Sequence, residues 1–196
     1  MRKRRHGNRR DDLGLRHFAS TEASQLLEFA VALPLLVVLV VGIFDFGEAL
    51  NLKHQLRDAA REGARLASSV PLSDVTGGGP PTSVLRAWNL VDAYLLRSQI
   101  KDCGLGSPSA VPALTALNYS WTSTTTNSGG CSGTLTFTID RAYVVRSNNI
   151  DVICTKVSIN YPFQWHFNRV IQLLVGGSTY GPTIQIAADA LMPNLE

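Results

Sequence analysis

The feature that most constrains this chain is an uncharged apolar run of 16 residues from Phe29 to Phe44. Leu26 and Leu27 extend the run to 19 residues, with Glu28 as its one interruption. A helix needs about 20 predominantly apolar residues to cross a bilayer. The run is apolar on every side, unlike an amphipathic helix that packs on a soluble core. We therefore predict a single transmembrane helix near the N-terminus.

Positive charge is concentrated immediately before this run. Residues 1–23 carry seven Lys or Arg against three Asp or Glu, which is +4, so the whole-chain charge of +3 leaves −1 for residues 24–196. Basic residues beside a span stay on the cytoplasmic side, which predicts a cytoplasmic N-terminus and an extracytoplasmic body. A basic run can also bind nucleic acid, but the body has no basic stripe with interleaved aromatic residues. We expect a membrane partner and no nucleic acid.

Two other interpretations of the apolar run are a buried core helix and a cleaved secretory signal peptide. The basic flank disfavours the core helix. A signal peptide ends in a small-x-small cleavage site, and Gly47-x-Ala49 is only a weak one. A carboxylate at the centre of a span costs about 2.5–3.5 kcal/mol. Glu28 is therefore either an interfacial residue near the cytoplasmic end or the partner of a cation on another chain.

The sequence continues as a helix beyond the apolar run. Residues 45–69 contain no proline and are rich in strong helix formers. Charged side chains recur there at helix-pairing distances: Arg57, Asp58, Arg61, Glu62 and Arg65. Small residues form a surface that another helix or sheet can approach closely: Ala59, Ala60, Gly63, Ala64 and Ala67. We predict one helix from about Ser24 to Ser69, whose charged residues form either a solvated face or a subunit contact.

The remaining residues predict an α+β domain. A Gly- and Pro-rich break at residues 70–81 precedes a second helix at residues 82–101, with Thr82 or Ser83 as its N-cap. Its apolar face carries Val84, Trp88, Val91 and Leu95.

After this helix the alternation of apolar residues indicates a small antiparallel sheet. The predicted strands span residues 113–121, 134–139, 151–161 and 183–192, with a polar loop at 122–133, a turn at 147–149 and an irregular or partly helical segment at 161–177. In the third strand we expect four residues on one face: Ile153, Thr155, Val157 and Ile159. The predicted organisation is a basic cytoplasmic leader at residues 1–23, a long transmembrane and amphipathic helix at 24–69, and an extracytoplasmic α+β domain at 70–196.

Three cysteines lie in the predicted extracytoplasmic domain, where the compartment is oxidising and a disulfide is expected. They are Cys103, Cys131 and Cys154. Three pairings are open. We favour Cys103–Cys131 because both residues lie in flexible flanks, and we expect Cys154 to be a buried small hydrophobe.

Three parts of the long helix together resemble one protein family. They are Glu28-Phe29 after a basic leader, the end of the apolar run at residues 42–47 (GIFDFG), and residues 59–65 (AAREGAR). This pattern is similar to the TadE-like proteins of the tight-adherence (Flp) pilus system. Residues 152–163 and 184–191 follow only the general pattern of the family. The resemblance implies a minor pilin or pseudopilin, a structural component of pilus assembly in the bacterial inner membrane.

The resemblance also implies how such a chain is processed and assembled. A prepilin peptidase removes the leader so that the acid becomes the fifth residue, which places the cut between Ala23 and Ser24, ahead of Glu28 and Phe29. The usual family residue before the cut is Gly, and this chain has Ala23. The new amine of one subunit pairs with Glu28 of another. The implied partners are other pilins or pseudopilins, the peptidase and the assembly machinery.

Subunit packing is further expected on Glu28 and on the small residues Ala59, Ala60, Gly63 and Ala64. No nucleophile motif, phosphate loop or metal-ligand spacing is present in the sequence, and the four histidines are scattered: His6, His17, His54 and His166. We expect no enzymatic activity, no cofactor and no metal. The alternative function is an uncleaved membrane anchor that displays an adhesion or binding module, and the two differ in whether the leader is removed.

Overall fold

The computed structural model describes residues 12–76, 79–115, 119–147, 150–166 and 183–194. The chain forms two compact units, one of residues 1–44 with 166–180 and one of residues 45–165 with 181–196. The helices are α1 (Asp12–Ser68) and α2 (Thr82–Arg97), with short 3-10 helices at Leu72–Thr76 and Pro108–Ala110. The strands are β1 (Ala113–Leu114), β2 (Ser120–Thr126), β3 (Thr134–Ser147), β4 (Ile150–Phe163) and β5 (Ile184–Pro193). The predicted α+β architecture is confirmed.

Helix α2 has the predicted buried face and begins at the predicted residue, but it ends four residues before the predicted end at Lys101. Val84, Trp88, Val91 and Leu95 are all buried. The helix ends at Arg97 because Gln99 adopts a left-handed conformation with φ 58°.

The predicted N-cap is wrong: the cap is Pro81, which offers no side-chain hydrogen bond. The side chain of Asp74 caps the helix instead, since the Ser83 backbone N–H donates a hydrogen bond to Asp74 Oδ2 at 3.0 Å. An oxygen acceptor is what the free N–H groups of a first helical turn require.

The five strands form one antiparallel sheet in the order β1-β2-β3-β4-β5. The single strand predicted at residues 113–121 is wrong, because β1 and β2 are separate strands that pair with each other. The polar loop predicted from Thr122 is also wrong as far as Thr126, because these residues pair with β3. Threonine is β-branched and favours a pleated strand despite its hydroxyl. The paired hydroxyls of Thr122 and Thr138 lie 3.2 Å apart.

The third predicted strand corresponds to β4 and is buried on the expected face for most of its length. Thr155, Val157 and Ile159 are fully buried, whereas Ile153 is 45% exposed. Ile153 lies at the end of the β3–β4 hairpin, beyond the last β4–β5 pair of Cys154 with Pro193. Among the described residues no third strand pairs with this end of the hairpin, which lies outside the core. Of the predicted turn and irregular segment, residues 148–149 and 167–177 lie outside the described residues.

The second half of α1 packs on α2 and on the sheet through its small side chains. Ala59, Ala60 and Ala64 are 0% exposed. A Cβ placed on Gly63 would lie 3.0 Å from Val91 Cγ2 on α2 and 3.8 Å from Val157 on β4. These four residues are thus buried inside their own domain, and the subunit-packing role expected for them stays a prediction.

A disulfide joins the loop after α2 to the loop before β3. It links Cys103 to Cys131 with their Cα atoms 5.2 Å apart, which is the pairing favoured from the sequence. Cys154 is a buried free thiol. Tyr161 supports the loop by donating its hydroxyl to the Lys101 carbonyl at 3.0 Å. Burial, and secondarily the Asp102 carboxylate, raise the pKa of Tyr161 to about 12, so this hydroxyl remains a proton donor at neutral pH.

A buried arginine ties β3 to the region between the two helices. Arg141 lies where the β3–β4 register shifts between Asp140 and Tyr143. Its side chain is 0% exposed and lies 3.8 Å from the Asp74 carboxylate. Its Nη2 donates to the Val70 carbonyl at 2.6 Å. Because the Asp74 carboxylate also accepts a hydrogen bond from the first turn of α2, it links Arg141 to the start of that helix.

Candidate membrane anchor and assembly helix

The first part of α1 presents large apolar side chains on every side. Between Leu26 and Phe46, thirteen of them are from 37% to 74% exposed. They are Leu26, Leu27, Phe29, Val31, Leu33, Leu35, Leu36, Val37, Leu39, Val40, Ile43, Phe44 and Phe46. Soluble monomers rarely expose contiguous apolar patches beyond a few hundred Å². This surface therefore requires lipid or the helices of other chains around it.

The dimensions of this part of the helix fit a bilayer. Within the described part of the chain, one helix is long and apolar enough to cross a membrane, and none of its apolar stretch is buried. Residues 23–44 rise about 33 Å at 1.5 Å per residue, against about 30 Å of hydrocarbon. Pro34 lies inside the helix, and proline is tolerated in membrane helices because neighbouring groups satisfy the freed carbonyl. The helix is suited to single-pass anchoring.

The residues of the predicted processing site lie on this helix. Ala23, Ser24 and Glu28 are exposed, and Phe29 is 61% exposed. Ser24 and Glu28 are four residues apart and so share one helix face. Glu28 forms no ion pair with any side chain in the described ranges. Its exposed carboxylate fits both interpretations that the sequence left open, an interfacial residue and the partner of a cation on another chain.

Comparison with known protein families identifies a family that this helix matches. Residues 23–65 match the TadE-like protein family. The TadE-like match begins at Ala23 and covers all the helix residues on which the sequence resemblance rested, so the recognition of a TadE-like protein is confirmed. No curated protein and no solved structure matches the chain significantly. The TadE-like segment supports an association with the tight-adherence pilus system.

The structure explains the alternation of small and charged residues at the end of the TadE-like segment. Within residues 59–65, the small residues face α2 and β4, whereas Arg61, Glu62 and Arg65 are exposed. On this face Arg61 and Asp58 form an ion pair that spans 3.9 Å between side chains that are more than half exposed. Such pairs contribute little stability. The charged residues thus form an exposed face of the helix, as both a solvated face and a subunit contact require.

Sequence reasoning missed a groove beside this helix. Its walls are Lys53, Arg57 and Arg61 of α1 and residues 187–192 of β5. The spacing of the two arginines is visible in the sequence. The position of β5 at the edge of the sheet is not, because strand order depends on contacts between residues far apart in the chain.

Proposed function

We propose that this protein is a minor pilin or pseudopilin-like structural component of a tight-adherence (Flp-type) pilus assembly system. The observation that carries the proposal is the TadE-like match over residues 23–65 on a helix whose apolar half is exposed. One surface then serves two states. It contacts lipid while the protein is in the bacterial inner membrane, and it contacts the helices of other pilins after assembly.

The proposed processing step creates the charge that directs assembly. Prepilin peptidase cleaves between Ala23 and Ser24, so that Ser24 carries a new α-amine and Glu28 becomes the fifth residue. Both charges are poorly solvated beside hydrocarbon. Pairing the amine of one subunit with Glu28 of its neighbour neutralises both groups and fixes the axial register between the two helices. The pilus assembly machinery then acts on a subunit that is already held by its neighbours.

One residue favours a second function. Ala23 occupies the position before the proposed cut, where glycine is usual in the family. If the leader stays on, the helix is a permanent anchor and the extracytoplasmic domain is a displayed adhesion or binding module. In both cases we propose a structural role without enzymatic activity.

The state of the leader separates the two functions. We expect protein purified from membranes of cells that carry the assembly system to begin at Ser24, as determined by N-terminal sequencing. Ala23→Gly should give the same N-terminus, with an equal or larger processed fraction. An intact leader in both proteins would contradict the pilin proposal and favour the permanent anchor.

Membrane orientation is tested independently of processing. Seven basic residues precede the span, against Lys53 and Arg57 in the dozen residues after Asp45, which favours a cytoplasmic N-terminus. In a strain without the peptidase, a reporter active only outside the cytoplasm should be active when fused at residue 75 and inactive at residue 10. A cytoplasmic signal from the fusion at residue 75 would show that the orientation is wrong.

A further inference from the structure

The groove beside α1 combines a basic wall with a strand edge. Lys53, Arg57 and Arg61 are exposed on one side, and six consecutive residues of β5 form the other. Asp189 is the acid among the lining residues, so the charge of the groove is three minus one, or +2. Lys53 and Arg57 form no ion pair with any side chain in the described ranges. The groove therefore has positive charge available for an anionic partner.

The strand that forms the second wall lies at the end of the sheet order. One side of β5 pairs with β4 along its whole length, from Ile184 with Phe163 to Pro193 with Cys154. Among residues 12–76, 79–115, 119–147, 150–166 and 183–194, none pairs with its other side. The opposite end of the sheet is β1, which has only two residues. An edge strand of this length presents a row of N–H and C=O groups on which another strand can pair.

The spacing of the cations matches that of an extended chain. Residues four apart on a helix rise about 6 Å along its axis. Alternate residues of a strand, which point to the same face, are about 6.7 Å apart. Three acidic side chains at alternate positions of a strand can therefore follow Lys53, Arg57 and Arg61 along the groove.

We propose that this groove binds an extended acidic segment of another protein, which pairs with the edge of β5 that faces away from β4 and directs alternate carboxylates toward the three cations. Backbone pairing supplies affinity, and the side chains that line the groove supply specificity. Asp189 adds selectivity, because a carboxylate placed opposite it would be repelled. The alternative anionic occupant, a phospholipid headgroup, would use the cations but leave the strand edge unpaired. The proposal does not depend on removal of the leader.

The test uses the full-length protein in an uncharged detergent and a fluorescent peptide of alternating threonine and glutamate, long enough to span residues 187–192. Fluorescence anisotropy should show saturable binding. Arg57→Glu should weaken this binding at least tenfold. Arg86→Glu changes an exposed arginine of α2 that does not line the groove, and should leave the affinity unchanged.

Two modified peptides separate charge from backbone pairing. Glutamine in place of glutamate should weaken binding about tenfold, and methylation of the peptide nitrogens should abolish it while keeping the charges. Equal affinity of the methylated and unmodified peptides would overturn the proposal. So would an equal loss in Arg57→Glu and Arg86→Glu. Binding of short-chain phosphatidylglycerol that needs Arg57, without peptide binding, would overturn it in favour of a lipid site.

Discussion

Replacing Asp74 with asparagine should lower the free energy of unfolding of the α+β domain by about 3 kcal/mol, the low end for breaking a buried ion pair. The side chain of Arg141 is 0% exposed, whereas that of Asp74 is 19% exposed. Asparagine keeps an oxygen that can accept from the Ser83 N–H at the start of α2. The change thus removes the counter-ion of Arg141 and retains the cap of the helix. We take the low end of the range because Asp74 is partly solvated and the pair is 3.8 Å apart.

The surroundings of Arg141 explain why its charge needs a partner. Burial lowers the pKa of its guanidinium, and the Asp74 carboxylate opposes that shift. The group donates to the Val70 carbonyl, but Nε and Nη1 have no hydrogen-bond partner in the described part of the chain. An uncompensated buried charge is more costly than an apolar side chain of similar volume. Arg141→Met should therefore be less destabilising in the Asp74→Asn background than alone.

Chemical denaturation of the full-length protein in detergent would measure these effects. Trp88 and Trp121 are 6% and 2% exposed, so their fluorescence should report loss of the core. The two single variants and the double variant form a cycle that isolates the coupling between the side chains. A control pair is Arg146 and Asp151, which are 2.6 Å apart but exposed. Asp151→Asn should give no resolvable loss, because solvent screens that pair.

Two results would contradict the assigned role of this pair. If Asp74→Asn and Asp151→Asn had the same effect, burial would not determine the strength of the ion pair. If the losses of the two single variants simply added in the double variant, Arg141 and Asp74 would act independently. Arg141 would then act through its bond to Val70 alone.

The parts of the fold that depend on local sequence were predictable. The apolar run fixes the helix at residues 29–44, because every position in it favours lipid over water. The face of α2 follows from the spacing of Val84, Trp88, Val91 and Leu95, all of which are buried. The alternation of Leu135, Phe137 and Ile139 likewise gives a strand whose apolar side faces the core, and all three are 0% exposed. For α2 and for this strand, the repeat of the backbone, about 3.6 residues in a helix and two in a strand, determines which side chains lie on the same face.

The parts that depend on distant partners were not predictable. The hydroxyl-rich residues 122–126 have the composition of a loop, and they form a strand because β3 offers a partner at the right register. The small residues of α1 suit any close contact, and only the fold shows that they pack inside their own domain beside α2 and β4. The ion pair of Arg141 and Asp74 joins residues 67 positions apart, at a point where the strand register shifts. No local sequence pattern indicates that these two residues are in contact.

The candidate site likewise has a part that could be predicted from the sequence and parts that could not. The anchor is a property of composition, so the sequence located it and the helix is exposed as expected. The groove depends on which strand ends the sheet, a fact set by the pairing of β4 with β5. The partner proposed for Glu28 lies on a second chain, so neither the sequence nor the fold of one subunit supplies it.

Glu28→Ala should impair pilus assembly while leaving membrane insertion intact or improved. Insertion gains because a charged side chain is costly within a span. Assembly loses because the amine of the neighbouring Ser24 would be buried without its counter-ion. Loss of one partner of a buried pair costs about 3–5 kcal/mol, which corresponds to a weakening of about 10²- to 4 × 10³-fold in subunit association. Glu28→Gln should fail similarly, since it keeps the shape and removes the charge.

The measurement is incorporation into sheared filaments, or crosslinking to partner pilins, at matched membrane levels. Glu62→Ala is the control, because Glu62 is an exposed carboxylate of the same helix outside the apolar run and its loss should not affect incorporation. If Glu28 instead lies among lipid headgroups and is solvated by water, both variants should assemble normally. Unchanged assembly of Glu28→Ala would make Glu28 an interfacial residue. The exposed apolar helix would then fit the permanent anchor better than the pilin.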